Sequence, residues 1–273
     1  MRYIFMALHA EASLLIRQLH LKQIDGPIRC FQNEDTFLTL TGTGPLSASA
    51  VTAAVLSSHP VSDTDCILNA GTAAAVCGAE KGTVYSVHKI IDLSSQRDYY
   101  PDLIPPSCFK EAAVCTGSTL YTGSDSRLHS RRESILLYDM ESAGIMHAAS
   151  MFADAHQIRF LKIVTDFGSV PDQTVINEYC GVLAEAITQE LSTMHEYLQA
   201  VHVHQETIDF PYDDFHASTA MRRKLLQVLK YCRLAGIDST AVLQRYYENG
   251  TLPARDKAAG KRVMEEVIHE LLP

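Results

Sequence analysis

The stretch Leu136–Ala149 reads LLYDMESAGIMHAA. Its first four residues, Leu136–Asp139, are strand-like, and from Ser142 to Phe152 the chain has the small and apolar composition of a helix. Two carboxylates, Asp139 and Glu141, sit at the junction. Acidic side chains are almost never fully buried unless something pairs with them. A strand handing over to a helix through two acids therefore predicts an α/β architecture with something polar to hold at the strand's end.

Outward from this stretch the same alternation recurs. RYIFMAL (Arg2–Leu8) reads as a strand running into a helix over Ala10–His20, Phe37–Leu40 is strand-like, and Ser47–Leu56 is an Ala- and Val-rich helix after a GTGP turn. CILNAGT (Cys66–Thr72), TVYSVHKII (Thr83–Ile91) and EAAVCTG (Glu111–Gly117) read as buried strands ending in polar residues or Gly. IRFLKIVTD (Ile158–Asp166) is another strand, and Val175–Leu198 a long helix. Such alternation predicts an α/β fold, a mixed, mostly parallel central sheet flanked by helices. Ligands of such sheets bind beyond the carboxyl ends of the strands.

After about residue 202 the texture changes. HVHQETIDFPYDDF reads as a linker, and three helical segments follow, Ala217–Leu234, Ser239–Asn249 and Ala254–Leu272, with IDST and NGTLP as cap and turn signals. From Ala217 onward there are ten Lys/Arg and six Asp/Glu, a net of +4, which leaves −13 on the rest of a chain whose total is −9. The expected organisation is an α/β catalytic domain over 1–204 and an all-helical extension over 205–273.

The 273 residues are 47% hydrophobic and 20% charged, a globular balance. No apolar run approaches the ~18 residues of a membrane span, and the first strand lacks the pattern of a signal peptide. Seven cysteines without a CxxC pair suit free thiols in a reducing compartment rather than disulfides or a zinc site. These features point to the cytoplasm. The net charge speaks against nucleic acid as the main partner. Within the tail, LKYCRLAGIDSTAVLQRYYENG could pass for a helix-turn-helix, and Arg222–Lys224 adds positive charge, but no base-reading pattern accompanies them. Amphipathic helices docked on protein are the plainer reading. His202–His204 (HVH) could ligate metal, yet linker histidines usually do not, and no metal is expected.

Four polar positions fall where strands are expected to end: Glu11, Thr72, the Asp139/Glu141 pair and Asp166. Each has a structural reading. Glu11 suits the first turn of a helix, Asp166 could be an N-cap, Asp139 or Glu141 could cap the helix starting near Ser142, and Thr72 could simply end a strand. Taken together, three acidic positions at three strand ends, with Gly turns at Gly42–Gly44 and Gly71, suggest one polar cleft. Carboxylates between small-residue walls suit a neutral or cationic ligand rich in hydroxyls.

In this order of motifs the chain resembles the 5′-methylthioadenosine/S-adenosylhomocysteine nucleosidases of the purine nucleoside phosphorylase-like superfamily, from residue 1 to about residue 200. ALHAEASLL matches the family's opening strand and glutamate turn, with Glu11 at the catalytic glutamate. TGTGPLSASA matches the GxG turn before an Ala-rich helix, and NAGTAAA (Asn69–Ala75) matches NTGSAGG, with Gly71 in the turn and Thr72 at the serine. DMESA (Asp139–Ala143) matches the ribose motif, and Thr165–Asp166 the SD pair. These last two are the most specific. Departures are visible as well. TGSTLY (Thr116–Tyr121) stands for the purine-holding SGDxF, so Ser118 replaces Asp and Leu120 the stacking Phe, with Tyr121 next to it as a substitute aromatic. Lys162 stands where Arg is frequent, Ile176 where a Phe often closes the 5′ pocket, and Thr43 and His9 replace apolar residues.

The resemblance implies an N-glycosidic hydrolase acting on a 5′-modified adenosine, with no metal or organic cofactor, working as a homodimer on a small-molecule nucleoside. Glu141 would accept hydrogen bonds from the ribose 2′- and 3′-hydroxyls, Met140 would pack on the sugar, Asp166 would protonate purine N7, and Glu11 would activate water. Phosphorolytic relatives hold phosphate with arginines. Here Asn69 precedes the Gly-Thr turn, and the first strand is followed by no Arg before Arg17, so water is the expected nucleophile. A phosphorylase, or a hydrolase of another purine nucleoside, is the alternative. A catalytically silent nucleoside-binding regulator with a basic helical output module is the rival from a different class.

Overall fold

The computed structural model describes residues 1–123, 128, 131–169, 173–204 and 211–272, and the chain divides into two units, Met1–His204 and Gln205–Pro273. In the first unit the strands are β1 (Arg2–Met6), β2 (Lys22–Ile24), β3 (Cys30–Gln32), β4 (Thr36–Leu40), β5 (Cys66–Cys77), β6 (Val84–Asp92), β7 (Arg97–Tyr99), β8 (Lys110–Thr116), β9 (Leu136–Asp139) and β10 (Ile158–Asp166). The helices are α1 (His9–Gln18), α2 (Pro45–Ser58), α3 (Ser142–Ala149) and α4 (Gln173–His204).

The expected mixed, mostly parallel sheet flanked by helices is present. β1 pairs in parallel with β4 and β5, and β10 with β5, while β6, β8 and β9 run parallel to one another. Antiparallel pairs β9–β5 and β10–β6 join the two sets, so β5, β10, β6, β8 and β9 close a ring. Strands buried on both faces read as continuous apolar runs, and all nine residues of β10 are buried. Within β1, Tyr3 and Phe5 pack toward Val55 and Leu56 of α2 and Ile145 and Met146 of α3. Ile4 and Met6 pack toward Leu15 of α1 and Leu183, Ile187 and Leu191 of α4. Alternate side chains of one strand thus feed two cores.

β5 corrects the expectation that Gly71-Thr72 ends a strand. The strand continues to Cys77, because Gly71 and Ala73–Ala75 are small enough to lie inside a closed ring of five strands. This continuation positions the site. Asp166 of β10 and Tyr138 of β9 both register against Ala74, one strand arriving parallel and the other antiparallel. Strand ends from opposite directions therefore meet at the middle of β5.

The second unit contains a 3₁₀ turn (Tyr212–Phe215) and helices α5 (Thr219–Ala235), α6 (Ser239–Glu248) and α7 (Lys257–Leu271), the all-helical extension expected. Its own core gathers Phe215, Leu225, Leu229, Cys232, Val267 and Leu271. Asp238 and Asp256 cap α6 and α7 by accepting first-turn N–H groups. The linker expected from residue 202 is partly helix, since α4 runs to His204; residues 205–210 and the side chains of His202–His204 lie outside the described residues. Among the described residues no helix is long and apolar enough to cross a membrane.

Candidate active site

The two acids of the opening stretch do different work. Asp139 is 4% exposed, and its carboxylate is saturated: Oδ1 accepts from the Thr116 hydroxyl at 2.7 Å, and Oδ2 accepts from Ser142 N at 3.0 Å and the Ser142 hydroxyl and lies 2.8 Å from Lys162 Nζ. Asp139 is thus the cap of α3, and the equally buried Lys162 is its counter-charge. Glu141 occupies the N-cap position of α3 but does not cap it. Its Oε1 accepts from Gly44 N at 2.9 Å, at the start of α2. Gly44 has φ +95° and ψ 150°, a region essentially reserved for glycine, and Pro45 then begins the helix. Gly144 of α3 meets Pro45 so closely that a Cβ would overlap the Pro45 carbonyl oxygen, and this close approach brings the Gly42–Gly44 turn to Glu141. Burial raises the Glu141 pKa and the Asp139 charge raises it further; Lys162 and the Gly44 N–H oppose them, and it settles at about 7.

Glu11 also realises its structural reading. In the first turn of α1 its Oε2 accepts from Leu8 N at 3.1 Å, while Oε1 reaches β5 and accepts from Thr72 N at 2.9 Å and the Thr72 hydroxyl at 2.7 Å. Gly71 lies directly beside this carboxylate. Asp166, at the end of β10, accepts from Gly168 N (2.8 Å) and Ser169 N (3.1 Å) on Oδ1 and from the Thr165 hydroxyl (2.9 Å) on Oδ2. It caps a tight turn rather than a helix, since α4 starts only at Gln173.

Glu11, Glu141 and Asp166, each under 10% exposed, line one cavity of about 270 Å³. Of the other positions singled out in the sequence, Thr43, Thr72, Leu120, Tyr121, Met140, Thr165 and Ile176 line it as well. Gly71 sits behind Glu11, and His9 stands apart. His9, a candidate substrate contact in the sequence, is exposed at the start of α1 with its ring 6.1 Å from Phe31 and is not among the described residues lining the cavity. Two positions along a helix are about 200° apart, so α1 turns Glu11 in and His9 out. Tyr138 and Ser169 line the cavity without having been anticipated. Among the described residues no group of three or more His, Cys, Asp and Glu side chains is placed to hold a metal ion.

Comparison with known proteins gives a likeness in structure alone. No protein-family model and no curated protein sequence matches the chain. Among solved structures, the apo 5′-methylthioadenosine nucleosidase of Arabidopsis thaliana is similar with a TM-score of 0.59 at 20% identity over 71% of this chain and 95% of that one. The 5′-methylthioadenosine/S-adenosylhomocysteine nucleosidase of Neisseria meningitidis, in complex with methylthio-immucillin-A, gives 0.55 at 16% identity over 71% and 97%. A Chlamydia trachomatis nucleosidase bound to adenine gives 0.53 at 20% identity over 71% and 98%. At these identities the likeness establishes the fold.

Proposed function

We propose that this chain hydrolyses the N-glycosidic bond of a purine nucleoside, a 5′-modified adenosine such as 5′-methylthioadenosine or S-adenosylhomocysteine, and releases the free base. The observation that carries this reading is that Glu11, Glu141 and Asp166 line one cavity together with Asp139, whose charge is taken up by Lys162. Cleaving the bond builds positive charge on the ribose, and nearby carboxylates stabilise that state more than the ground state. Glu141 accepts the 2′- and 3′-hydroxyls, with Met140 against the sugar. Asp166 donates a proton to N7; its Oδ1 accepts from two backbone N–H groups and Oδ2 from the Thr165 hydroxyl alone, so Oδ2 is the oxygen to carry that proton. Glu11, oriented by Leu8 N and Thr72, takes a proton from the attacking water. Leu8 and Ile176 offer apolar surface to a 5′ substituent.

Water is favoured over phosphate as nucleophile because no Arg or Lys is among the described residues lining the cavity, and a phosphate beside Glu11 would meet repulsion. With this reading go a homodimer, as the family resemblance implies, and a reducing, cytoplasmic setting for seven cysteines that form no CxxC pair. In the test, Glu11→Gln and Asp166→Asn each lower kcat by at least ~10²-fold with the thermal melt retained. Wild-type-like turnover in either variant removes that residue from the mechanism. Wild-type protein that binds purine nucleosides and releases no base is instead a nucleoside-binding regulator.

A further inference from the structure

The purine-holding loop expected at Thr116–Tyr121 lacks the usual acid and the usual stacking ring, so something else has to give it a shape. Tyr138 of β9 supplies it. Its hydroxyl donates to the Thr119 carbonyl at 2.7 Å, and its ring stacks on Tyr121 with centroids 5.2 Å apart and planes 25° from parallel. Both tyrosines are buried, at 8% and 9% exposed, and both line the cavity beside Leu120. The fit depends on Gly117, where a Cβ would overlap the Tyr138 phenol. A second contact closes the same end: Gly168, in the turn held by Asp166, lies against the backbone of Thr122 and Gly123. The residues that present the proposed N7 acid and those that present an aromatic face thus pack on each other.

We propose that Tyr138 is a positioning residue for the base: bonded to Thr119 and stacked on Tyr121, it fixes the loop so that Tyr121 and Leu120 form one wall for a planar purine. This rests on the nucleosidase reading, in which the family resemblance puts the base at this loop. A pair of stacked aromatic rings orients a flat heterocycle by its face, a sequence-tolerant contact with strength comparable to base stacking elsewhere. Tyr138 acts through Tyr121, so the two residues are coupled.

The experiment measures free adenine binding by calorimetry and steady-state base release for the full-length wild type, Tyr138→Phe, Tyr121→Leu and the double variant. Tyr138→Phe, which keeps the ring and removes the bond to Thr119, is expected to weaken adenine about fivefold, the worth of one hydrogen bond. Tyr121→Leu is expected to weaken it about tenfold or more. The losses fall on adenine Kd and on KM rather than on kcat, and the double variant is no worse than Tyr121→Leu alone. Wild-type adenine affinity in both single variants overturns the proposal, as do additive losses in the double variant. If base is released normally while these variants bind adenine normally, the wall is elsewhere and the nucleosidase reading stands. If the wild type neither binds adenine nor releases base, that reading fails first.

Discussion

At the scale of single residues, the site turns on the ionisation of Glu141. Burial and the Asp139 charge hold its pKa at about 7. A protonated carboxyl cannot accept from two ribose hydroxyls as a carboxylate can, so kcat/KM is expected to fall on the acid side with a limb near pH 7. Because the folded-state pKa lies above the ordinary 4.5, the native state holds an extra proton between about pH 4.5 and 7, and stability falls as pH rises through that window. Glu141→Gln removes this titration. The stability of the variant relative to wild type should therefore rise from about pH 4.5 to about 7 in denaturant melts, and a difference flat with pH would contradict the assignment. Lys162 opposes the rise at Glu141 and neutralises Asp139. Lys162→Met should move the acid limb upward and Lys162→Arg should largely restore it; an unmoved limb in Lys162→Met would separate the ion pair from the proposed ribose site. Lys162 is visible in the sequence as a charge at the centre of IRFLKIVTD, between Arg159 and Asp166. Its partner, 23 positions earlier, is invisible there, because single-sequence patterns do not encode which strands become neighbours.

At the scale of elements, two contacts hold the machinery. Gly144 allows α3 to meet Pro45 of α2, which carries Gly44 N to Glu141. Gly144→Ala forces these helices apart, with an expected loss of about 1–3 kcal/mol and reduced base release; unchanged activity would show that the Gly42–Gly44 turn is dispensable. The second contact is a buried ion pair. Arg159 at the start of β10 lies 3.1 Å from Glu190 of α4, both at most 1% exposed, with Arg159 also donating to the Pro105 carbonyl and Ser107 donating to Glu190. Glu190→Gln leaves a buried guanidinium without its counter-charge, and about 3–5 kcal/mol of stability should be lost; a loss below about 1 kcal/mol would mean that water reaches the pair. The longer elements were legible in the sequence because apolar runs and caps are local. β2, β3 and β7, three residues each, left no periodic signal, and Gly71-Thr72 reads as a turn until the neighbouring alanines are seen to fill the ring. Tyr138 reads as one more core aromatic of a strand; only the fold brings it to Thr119 and Tyr121.

At the scale of the whole molecule, similarity to solved nucleosidases spans 71% of this chain and nearly all of theirs, and the helical unit has a separate core. The exposed face of α6 carries Thr240, Ala241, Gln244, Arg245 and Glu248, with Arg245 paired to Glu270, a nearly neutral surface. A chain ending at His204 is expected to stay folded and to release base, and loss of release on truncation would assign the extension a part in the site. The central claim rests on the reaction itself. Its most direct test is to incubate the full-length protein with 5′-methylthioadenosine, S-adenosylhomocysteine, adenosine and inosine, with and without phosphate, and to identify the products by chromatography. The account predicts free adenine and a 5′-modified ribose without phosphate; strict dependence on phosphate, or bound nucleoside with no base released, would contradict it.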